Sequence, residues 1–200
     1  MLPSLDRRAL LPCAAAGAFI LAAGALTQAA AQPKTAKGPE IFNARATVGS
    51  AAGLGDAHVT VRIDRYTPEK DLDAMERALK DGGSPAFSIA LRRAPIAGQF
   101  EIGTQTFAIR WARQKPTPSG RVITVVIDKP VYFVGGGVPG AKPREGFDVA
   151  VVQLTMDSSG VGEGTMAAAA RVKPGGPTGV EIDAYDAQPV KLRSVMRLIR

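Results

Sequence analysis

Apolar and polar residues alternate through most of the chain after Ile41, a period of two that is typical of half-buried β-strands. In the segment HVTVRIDRY, Val59, Val61 and Ile63 fall on one face and polar residues fall on the other. The preceding run FNARATV is expected to pair with this segment across the loop GSAAGLGD. The pattern therefore predicts a pair of neighbouring strands at the start of the folded region.

Helical spacing replaces the alternation after Tyr66. The segment TPEKDLDAMERALK begins with residues that suit a helix N-terminus, and its apolar residues then recur every three or four positions: Leu72, Met75 and Leu79. Gly82 and Gly83 predict the end of this helix, and the Ser-Pro pair that follows predicts a second, shorter helix closed by Pro95. The sequence therefore predicts a two-helix insertion after the second strand.

The remainder of the chain returns to strand patterning. Its apolar runs are QFEIGTQT, FAIRWARQ, RVITVVIDKPVYF, FDVAVVQLTM, TMAAAARV, GVEIDAY and VKLRSVMRLI. Turn residues separate these runs at short intervals, which favours antiparallel connections, and RVITVVI is apolar on both faces and is expected to lie centrally. We expect a mainly β (α+β) fold, an antiparallel β-sandwich or barrel of about eight to nine strands, in a single domain over residues 41–200.

The first 31 residues have the composition of a signal peptide. Arg7 and Arg8 precede the uncharged run LLPCAAAGAFILAAGAL, and small residues lead to a cleavage site after Ala31. The apolar run is shorter than the roughly 20 residues of a membrane-spanning helix. We expect export to the periplasm or exterior, by the general or the twin-arginine route, with no transmembrane segment after cleavage. The polar residues 32–40 are expected to form a flexible leader.

The composition limits the chemistry of the mature chain. Cleavage removes Cys13, the only cysteine, so no disulfide, thiol nucleophile or thiolate ligand is expected. His58 is the only histidine, which excludes a His-rich metal site. The turn DSSGVGEG faintly resembles a calcium loop but lacks most of the acidic positions of such a loop, and it is interpreted as a hairpin turn. We find no catalytic motif and expect no metal and no cofactor.

A glycine-rich stretch, VYFVGGGVPG, contains the G-x-G-x-x-G pattern of dinucleotide sites at Gly135, Gly137 and Gly140. In such sites a helix follows the pattern and points its N-terminus at the pyrophosphate, whereas here Pro139 interrupts the pattern and no helix is predicted after it. A nucleotide cofactor is therefore not expected. The stretch is interpreted as a mobile loop beside a ligand-binding mouth, with Arg144 next to it.

Basic residues are the one global bias, with a formal net charge of +7. Such a charge suits acidic lipid, polysaccharide or nucleic acid, and charge alone does not choose among them. One cluster, around the turn PTPSG, contains the residues Arg113, Lys115, Arg121 and Lys129. Arg113 and Lys115 are the second candidate ligand-binding site. Nucleic acid is disfavoured, because Trp111 shares the strand parity of Phe107 and Ile109 and is expected to face the core.

The last predicted strand has an apolar face and a basic stripe, the latter formed by Lys191, Arg193 and Arg197. Its apolar face is formed by Val190, Leu192, Met196 and Leu198. If this strand forms a hairpin with GVEIDAY, Asp183 faces Lys191 and Glu181 faces Arg193. We therefore expect a ladder of opposite charges that neutralises the stripe.

The segments VTVRIDRYTPEKD, VITVVIDKPVYF, GEGTMAAAARVKPGG and QPVKLRSV resemble a group of uncharacterised exported bacterial proteins. The resemblance spans the mature domain and implies a domain kept as a unit. It implies no activity, cofactor or catalytic residue.

Three functions remain open at this stage. The leading hypothesis is a non-catalytic binding or interaction module that recognises a small molecule or an envelope partner. A periplasmic enzyme with a site built from carboxylates, lysine or arginine is the alternative, and a structural envelope protein is the third. No catalytic residue is predicted, and the candidate ligand-binding residues are Gly135, Gly137, Gly140, Arg144, Arg113 and Lys115.

Overall fold

The computed structural model describes residues 38–50, 53–131, 145–176, 179–185 and 189–198. All of these residues belong to one compact unit, Gln32–Arg200. The predicted signal peptide, most of the predicted leader and the glycine-rich loop lie outside the described residues.

Nine strands and one helix make up the described part of the chain. In chain order they are β1 (Glu40–Ser50), β2 (Gly53–Ile63), α1 (Glu69–Arg93), β3 (Gly98–Ile102), β4 (Gln105–Thr117), β5 (Gly120–Ile127), β6 (Val149–Asp157), β7 (Val161–Pro174), β8 (Val180–Ala184) and β9 (Val190–Leu198). The first strand begins at Glu40, one residue before the predicted start of the domain. The predicted pairing of the first two strands is confirmed, since β1 and β2 are antiparallel neighbours.

Eight of the strands close into an antiparallel barrel. The hydrogen-bonded order is β6-β5-β4-β3-β2-β1-β9-β7, and β7 pairs back with β6 to complete the circle. The remaining strand, β8, pairs with the last residues of β7, beyond the part of β7 that pairs with β9. The barrel form of the sequence prediction is therefore confirmed.

The barrel interior is filled by apolar side chains from all eight strands. They form one buried cluster whose larger members are Phe42, Val59, Val61, Ile63, Phe100, Ile102, Ile109, Ile123, Val125, Ile127, Val152, Leu154, Met156, Met166, Leu192 and Val195. An eight-stranded barrel has an interior just wide enough for side chains to fill. The surfaces open to a binding partner are therefore the ends and the outside of the barrel.

The helix α1 covers one part of the barrel exterior and creates a second apolar cluster there. The helix contributes Leu72, Met75, Leu79, Phe87 and Leu91, and the barrel and β8 contribute Trp111, Val126, Val149, Val151, Ala167, Ala170, Val172 and Val180. One face of β5 lies in the barrel interior and the other lies under α1, so both faces of RVITVVI are buried, as its apolar residues predict.

The predicted two-helix hairpin is not shown. A single helical element runs over Glu69–Arg93 and is kinked at Gly83, whose φ of 66° is not helical. Buried residues lie on both sides of the kink and belong to the same cluster, so the parts of α1 before and after the kink both pack on the barrel exterior. Thr67 does not cap the helix. Its hydroxyl accepts a hydrogen bond from the Ala112 amide at 2.9 Å and ties the start of α1 to β4.

A β-bulge in β4 decides which face Trp111 occupies. In β4, Ile109 pairs with Ile127 and Trp111 pairs with Val126, so Arg110 is an extra residue. Ile109 therefore faces the barrel interior, whereas Trp111 faces α1. The burial predicted for Trp111 is correct, but the residue belongs to the outer cluster because one additional residue reverses the alternation.

The described residues contain no helix with the length and apolar character needed to cross a membrane.

Candidate functional site

Polar side chains gather at the end of the barrel where β1 begins. We call this group the barrel-end cluster; its members are Glu40, Tyr66, Gln114, Arg121 and Arg197. Glu40 has the strand parity of Phe42 and Ala44, which both lie in the interior, and only 5% of Glu40 is exposed. Four other segments of the chain therefore converge on one buried carboxylate.

Arg121 binds the carboxylate of Glu40 with both ends of its guanidinium. Its Nη2 donates to Oε1 at 2.7 Å and its Nη1 donates to Oε2 at 3.1 Å. The Tyr66 hydroxyl donates to Oε2 at 2.6 Å, and Arg197 Nη1 lies 3.3 Å from Oε1. Arg121 Nη1 also donates to Gln114 Oε1 at 2.6 Å. The buried carboxylate thus has partners at both oxygens, as a stable buried charge requires.

The pKa values of this cluster favour a structural role. Burial alone would raise the pKa of Glu40, but hydrogen bonds from Arg121 and Tyr66 and the charges of Arg121 and Arg197 hold that pKa below its ordinary value. Burial, followed by the hydrogen bond to Glu40 and its negative charge, raises the pKa of Tyr66. A general acid or base needs a pKa near the working pH, and both groups are shifted away from neutrality. The cluster therefore closes one end of the barrel as a network that is charged at neutral pH.

This cluster was not predicted from the sequence. The alternation of β1 contained a signal, because Glu40 lies two residues before Phe42 on the apolar face. Arg197 was expected to lie in an outward basic stripe. In the structure β9 has a bulge: Met196 pairs with Asn43 and Arg193 pairs with Arg45, so β9 has one more residue than β1 between these pairs. This shift turns Arg197 towards Glu40.

The same bulge produces a second feature, on the outside of the barrel. We call it the β1–β9 face; it has three cations, Arg45, Lys191 and Arg193, and three exposed apolar residues, Val161, Met196 and Leu198. Arg45 lies directly opposite Arg193, and Lys191 lies between Thr47 on β1 and Thr165 on β7. Two like charges are thus neighbours on adjacent strands.

None of the three cations has an ion-pair partner among the residues that the structure describes. Glu163 lies on β7 across from the bulge, between residues paired with Leu192 and Val195, and no ion pair joins it to Arg193. Asp56 accepts a hydrogen bond from Thr47 at 2.9 Å. Within the described part of the chain, the charges of Arg45, Lys191 and Arg193 are therefore not neutralised by an ion pair.

The predicted neutralising ladder is wrong. β8 does not form a hairpin with β9; it pairs with β7, where Asp183 lies opposite Arg171 and Glu181 lies opposite Lys173. Lys173 Nζ is 3.2 Å from Asp183 Oδ2. The two acids that were expected to neutralise Lys191 and Arg193 therefore face residues of β7 and not residues of β9.

The apolar residues of the β1–β9 face are unusually exposed for their size. Met196 is 52% exposed, Val161 48% and Leu198 44%. Met196 lies directly opposite Val161, and Leu198 lies opposite Ile41, so these side chains form a continuous group across β7, β9 and β1. Alternation predicts Met196 and Leu198 on the same apolar face as Val190 and Leu192, and the bulge turns both side chains outward instead.

The residues predicted to bind a ligand are not brought together in the described part of the structure. Arg113 Nη1 and Nη2 lie 2.8 Å from Glu76 and 2.9 Å from Glu69, and these pairs hold α1 on the barrel. Lys115 is exposed further along β4, opposite Val122. Gly135, Gly137, Gly140 and Arg144 lie outside the described residues.

The remaining basic residues of that predicted cluster are also separate. Arg121 lies in the barrel-end cluster, whereas the ammonium group of Lys129 lies 5.1 Å from the centre of the Phe107 ring. Trp111 is fully buried under α1. A combined aromatic and basic surface of the kind that nucleic acid uses is therefore not formed by these residues.

The acidic turn between β6 and β7 uses its aspartate within the hairpin. Asp157 Oδ1 accepts hydrogen bonds from the amides of Ser159 and Val161 and from the Ser159 hydroxyl, at 2.9, 3.0 and 2.7 Å. The Ser159 hydroxyl bond and the Val161 amide bond lower the pKa of Asp157. Among the described residues, no group of three or more acidic, histidine or cysteine side chains is placed to hold a metal ion.

A small cleft lies between the two ends of α1 and the barrel, with a volume of about 60 Å³, far below the roughly 300–1,000 Å³ of small-molecule sites. Its two arginines have structural partners: Arg65 donates to the Ile96 carbonyl at 3.0 Å, and Arg110 pairs with Asp128 at 2.5 Å. The cleft is therefore a small gap where α1 joins the barrel, and it is not a candidate ligand site.

Comparison with protein-family models, with curated proteins and with solved structures finds no match for the chain. The resemblance to uncharacterised exported bacterial proteins stays a prediction. Functional inference therefore depends on the barrel-end cluster and the β1–β9 face.

Proposed function

We propose that this chain is a non-catalytic binding module that recognises an anionic partner through the cations of the β1–β9 face. The observation that carries the proposal is the position of Arg45 directly opposite Arg193, with neither side chain ion-paired among the described residues. Lys191, on the same strand as Arg193, is a third cation that has no ion-pair partner among the described residues. Export to the periplasm or exterior is part of the proposal, supported by the composition of residues 1–31.

The energetics of strand pairing support a functional role for these cations. Like charges directly opposite on neighbouring strands destabilise a sheet, whereas an opposite-charge pair contributes about 0.2–1 kcal/mol. Elsewhere in the barrel, Arg113, Arg121 and Lys173 each have a carboxylate partner. An anionic partner would supply the missing counter-charge, and the planar guanidinium groups suit two-point contacts with phosphate or carboxylate oxygens.

The alternative of an enzyme has less support. In the barrel-end cluster the pKa of Glu40 is lowered and the pKa of Tyr66 is raised, which keeps Glu40 ionised and Tyr66 protonated at neutral pH. These groups bind one another, so neither is prepared to exchange a proton with a substrate. A purely structural envelope protein would not need unpaired cations on adjacent strands.

The test is binding of the purified protein to inorganic polyphosphate, a soluble polyanion without apolar groups, measured by calorimetry at low salt. We expect Arg193→Glu and Arg45→Glu each to weaken binding about tenfold or more, since each replaces an attractive contact by a repulsive one. Lys80→Glu, on the exposed face of α1, changes the net charge by the same amount and should have a much smaller effect.

Two results would contradict the proposal. If the wild-type protein shows no binding to polyphosphate, the β1–β9 face does not bind anions. If Lys80→Glu weakens binding as much as Arg193→Glu, attraction depends on net charge and the face has no special role. Increasing salt should weaken wild-type binding, because exposed charges are screened within a Debye length of about 10 Å at 0.1 M ionic strength.

A further inference from the structure

We infer that the anionic partner of the β1–β9 face is the surface of a lipid bilayer that contains anionic phospholipids. The inference rests on the proposed function and adds to it the apolar half of the face. The observation behind it is that Val161, Met196 and Leu198 are exposed directly beside the unpaired cations.

The exposure of these apolar residues results from a specific backbone feature. Val190 and Leu192 face the barrel interior, so an uninterrupted strand would also turn residues 194, 196 and 198 inward. The bulge between Leu192 and Val195 reverses this parity and includes Ser194, whose φ of 51° is the one positive value at a non-glycine residue in the described part of the chain. Two large apolar side chains are thereby moved from the core to the surface at a cost in backbone strain.

A bilayer surface matches both halves of the face. Apolar side chains of interfacial proteins enter the boundary between headgroups and acyl chains, about 5–10 Å deep, while cations remain with the phosphates. Met196 lies three residues beyond Arg193, within about 10 Å along a strand that rises about 3.3 Å per residue. The apolar group lies towards the end of β9 at Leu198, and the cations lie towards its start. The β1–β9 face would therefore lie against the bilayer surface, with Met196 and Leu198 at the boundary between headgroups and acyl chains and Arg193, Arg45 and Lys191 at the level of the headgroups.

A soluble polyanion would use only the cations, and this difference separates the inference from the proposed function. The unit Gln32–Arg200 is compact and contains every described element, so it is the protein to test, free of the apolar residues 10–26. Its binding should be measured by flotation with phosphatidylcholine vesicles, with and without phosphatidylglycerol.

We expect binding only to vesicles that contain phosphatidylglycerol. The double variant Met196→Ser/Leu198→Ser should reduce vesicle binding about tenfold or more, since burial of each large apolar side chain is favourable by more than a factor of ten. The same variant should bind polyphosphate as the wild type does, because all three cations remain. Ile96→Ser, which removes an apolar residue that is 51% exposed elsewhere on the surface, is the matched control and should bind vesicles normally.

Each other result overturns the inference in an identifiable way. Binding to polyphosphate without binding to anionic vesicles would leave the proposed function standing and exclude the bilayer, in favour of a soluble acidic partner. Equal vesicle binding by wild type and Met196→Ser/Leu198→Ser would show that the apolar half is not used. Absence of binding to both probes would contradict the inference and the proposed function together.

Discussion

Arg45 on β1 lies directly opposite Arg193 on β9, and in the described part of the chain neither guanidinium group contacts a carboxylate. The same barrel pairs Arg121 with Glu40 at 2.7 Å and buries that pair at one end. The chain therefore contains two kinds of arginine: those that hold the barrel together and those that are left to solvent. The second kind, with Lys191, defines the face to which we assign a partner.

Charge reversal at Arg193 should make the barrel more stable. Arg193→Glu places a carboxylate opposite Arg45, and an opposite-charge pair across strands contributes about 0.2–1 kcal/mol. We expect an increase of that size in the free energy of unfolding, measured by urea denaturation. The control is Lys115→Glu, which has Val122 as its strand partner and should change stability little. A decrease in stability for Arg193→Glu would show that Arg193 has a stabilising contact within the protein.

Replacement of Glu40 should strongly destabilise the protein at neutral pH. Glu40→Gln leaves Arg121 without its counter-charge in a site where only 16% of the arginine side chain is exposed, so we expect a loss of about 3 kcal/mol. Glu69→Gln removes an acid that also pairs with arginine but is 69% exposed, and its loss should cost less than about 1 kcal/mol. Similar losses for the two variants would indicate that the barrel-end cluster contributes no special stability.

Acid should remove the contribution of Glu40. Because the folded-state pKa of Glu40 lies below its ordinary value of 4.5, the stability it supplies is complete above about pH 4.5 and is lost as pH falls through the folded pKa. The difference in unfolding free energy between wild type and Glu40→Gln should therefore narrow as the pH of the denaturation experiment is lowered from about 7 to about 3. A difference that stays constant over this range would contradict the ionised state assigned to Glu40.

Tyr66→Phe tests the hydroxyl that donates to Glu40 at 2.6 Å. Hydrogen bonds to charged groups contribute about 1.5–3 kcal/mol. We expect a loss near the lower limit, because Arg121 and Arg197 still contact the carboxylate. The loss should be larger at neutral pH than in acid, since protonated Glu40 no longer attracts the hydroxyl. A loss of the same size in wild type and in a Glu40→Gln background would show that the two groups act independently.

Ser194 tests the bulge in β9. Its φ of 51° is one that glycine adopts freely and that a β-branched residue strongly resists. We expect Ser194→Gly to keep or raise the free energy of unfolding and Ser194→Val to lower it by about 1–2 kcal/mol. Chemical denaturation of the two variants measures this difference. If valine is tolerated as well as glycine, β9 does not have the bulge that exposes Met196 and Leu198.

Ser88 and Ser84 form a matched pair on α1. Both are buried, but the Ser88 hydroxyl has no hydrogen-bond partner among the described residues, whereas the Ser84 hydroxyl lies 3.4 Å from the Gly146 carbonyl and from the Val172 amide. Removal of an unpaired buried hydroxyl relieves a desolvation penalty of about 1 kcal/mol or more. Ser88→Ala should therefore raise the melting temperature and Ser84→Ala should lower it. A lower melting temperature for Ser88→Ala would indicate that its hydroxyl has a partner.

Much of the barrel could be predicted from the sequence, because its evidence is local. Alternation identified Val59, Val61 and Ile63 as core residues of β2, and these residues are buried in the barrel interior. Helical spacing identified Leu72, Met75 and Leu79, which are buried between α1 and the barrel. These predictions succeed because a strand or helix with one apolar face must bury that face, whichever element covers it.

The candidate site could not be predicted, because it depends on long-range pairing. Alternation alone assigned Met196 and Leu198 to the core and Arg197 to the surface, and one extra residue in β9 reverses all three. Alternation also gave no information on the partner of β8, so its acids were assigned to the wrong strand.

The sequence by itself determined most strands, the helical character of the segment after β2 and most core positions, since these follow from the spacing of apolar residues within a single segment. Only the tertiary structure decided the barrel-end cluster and the β1–β9 face. Closure of the barrel brings Glu40, Tyr66, Arg121 and Arg197 together from distant segments. The bulge in β9 turns Met196 and Leu198 outward and Arg197 inward, because a shift of one residue moves every following side chain to the opposite face of the sheet.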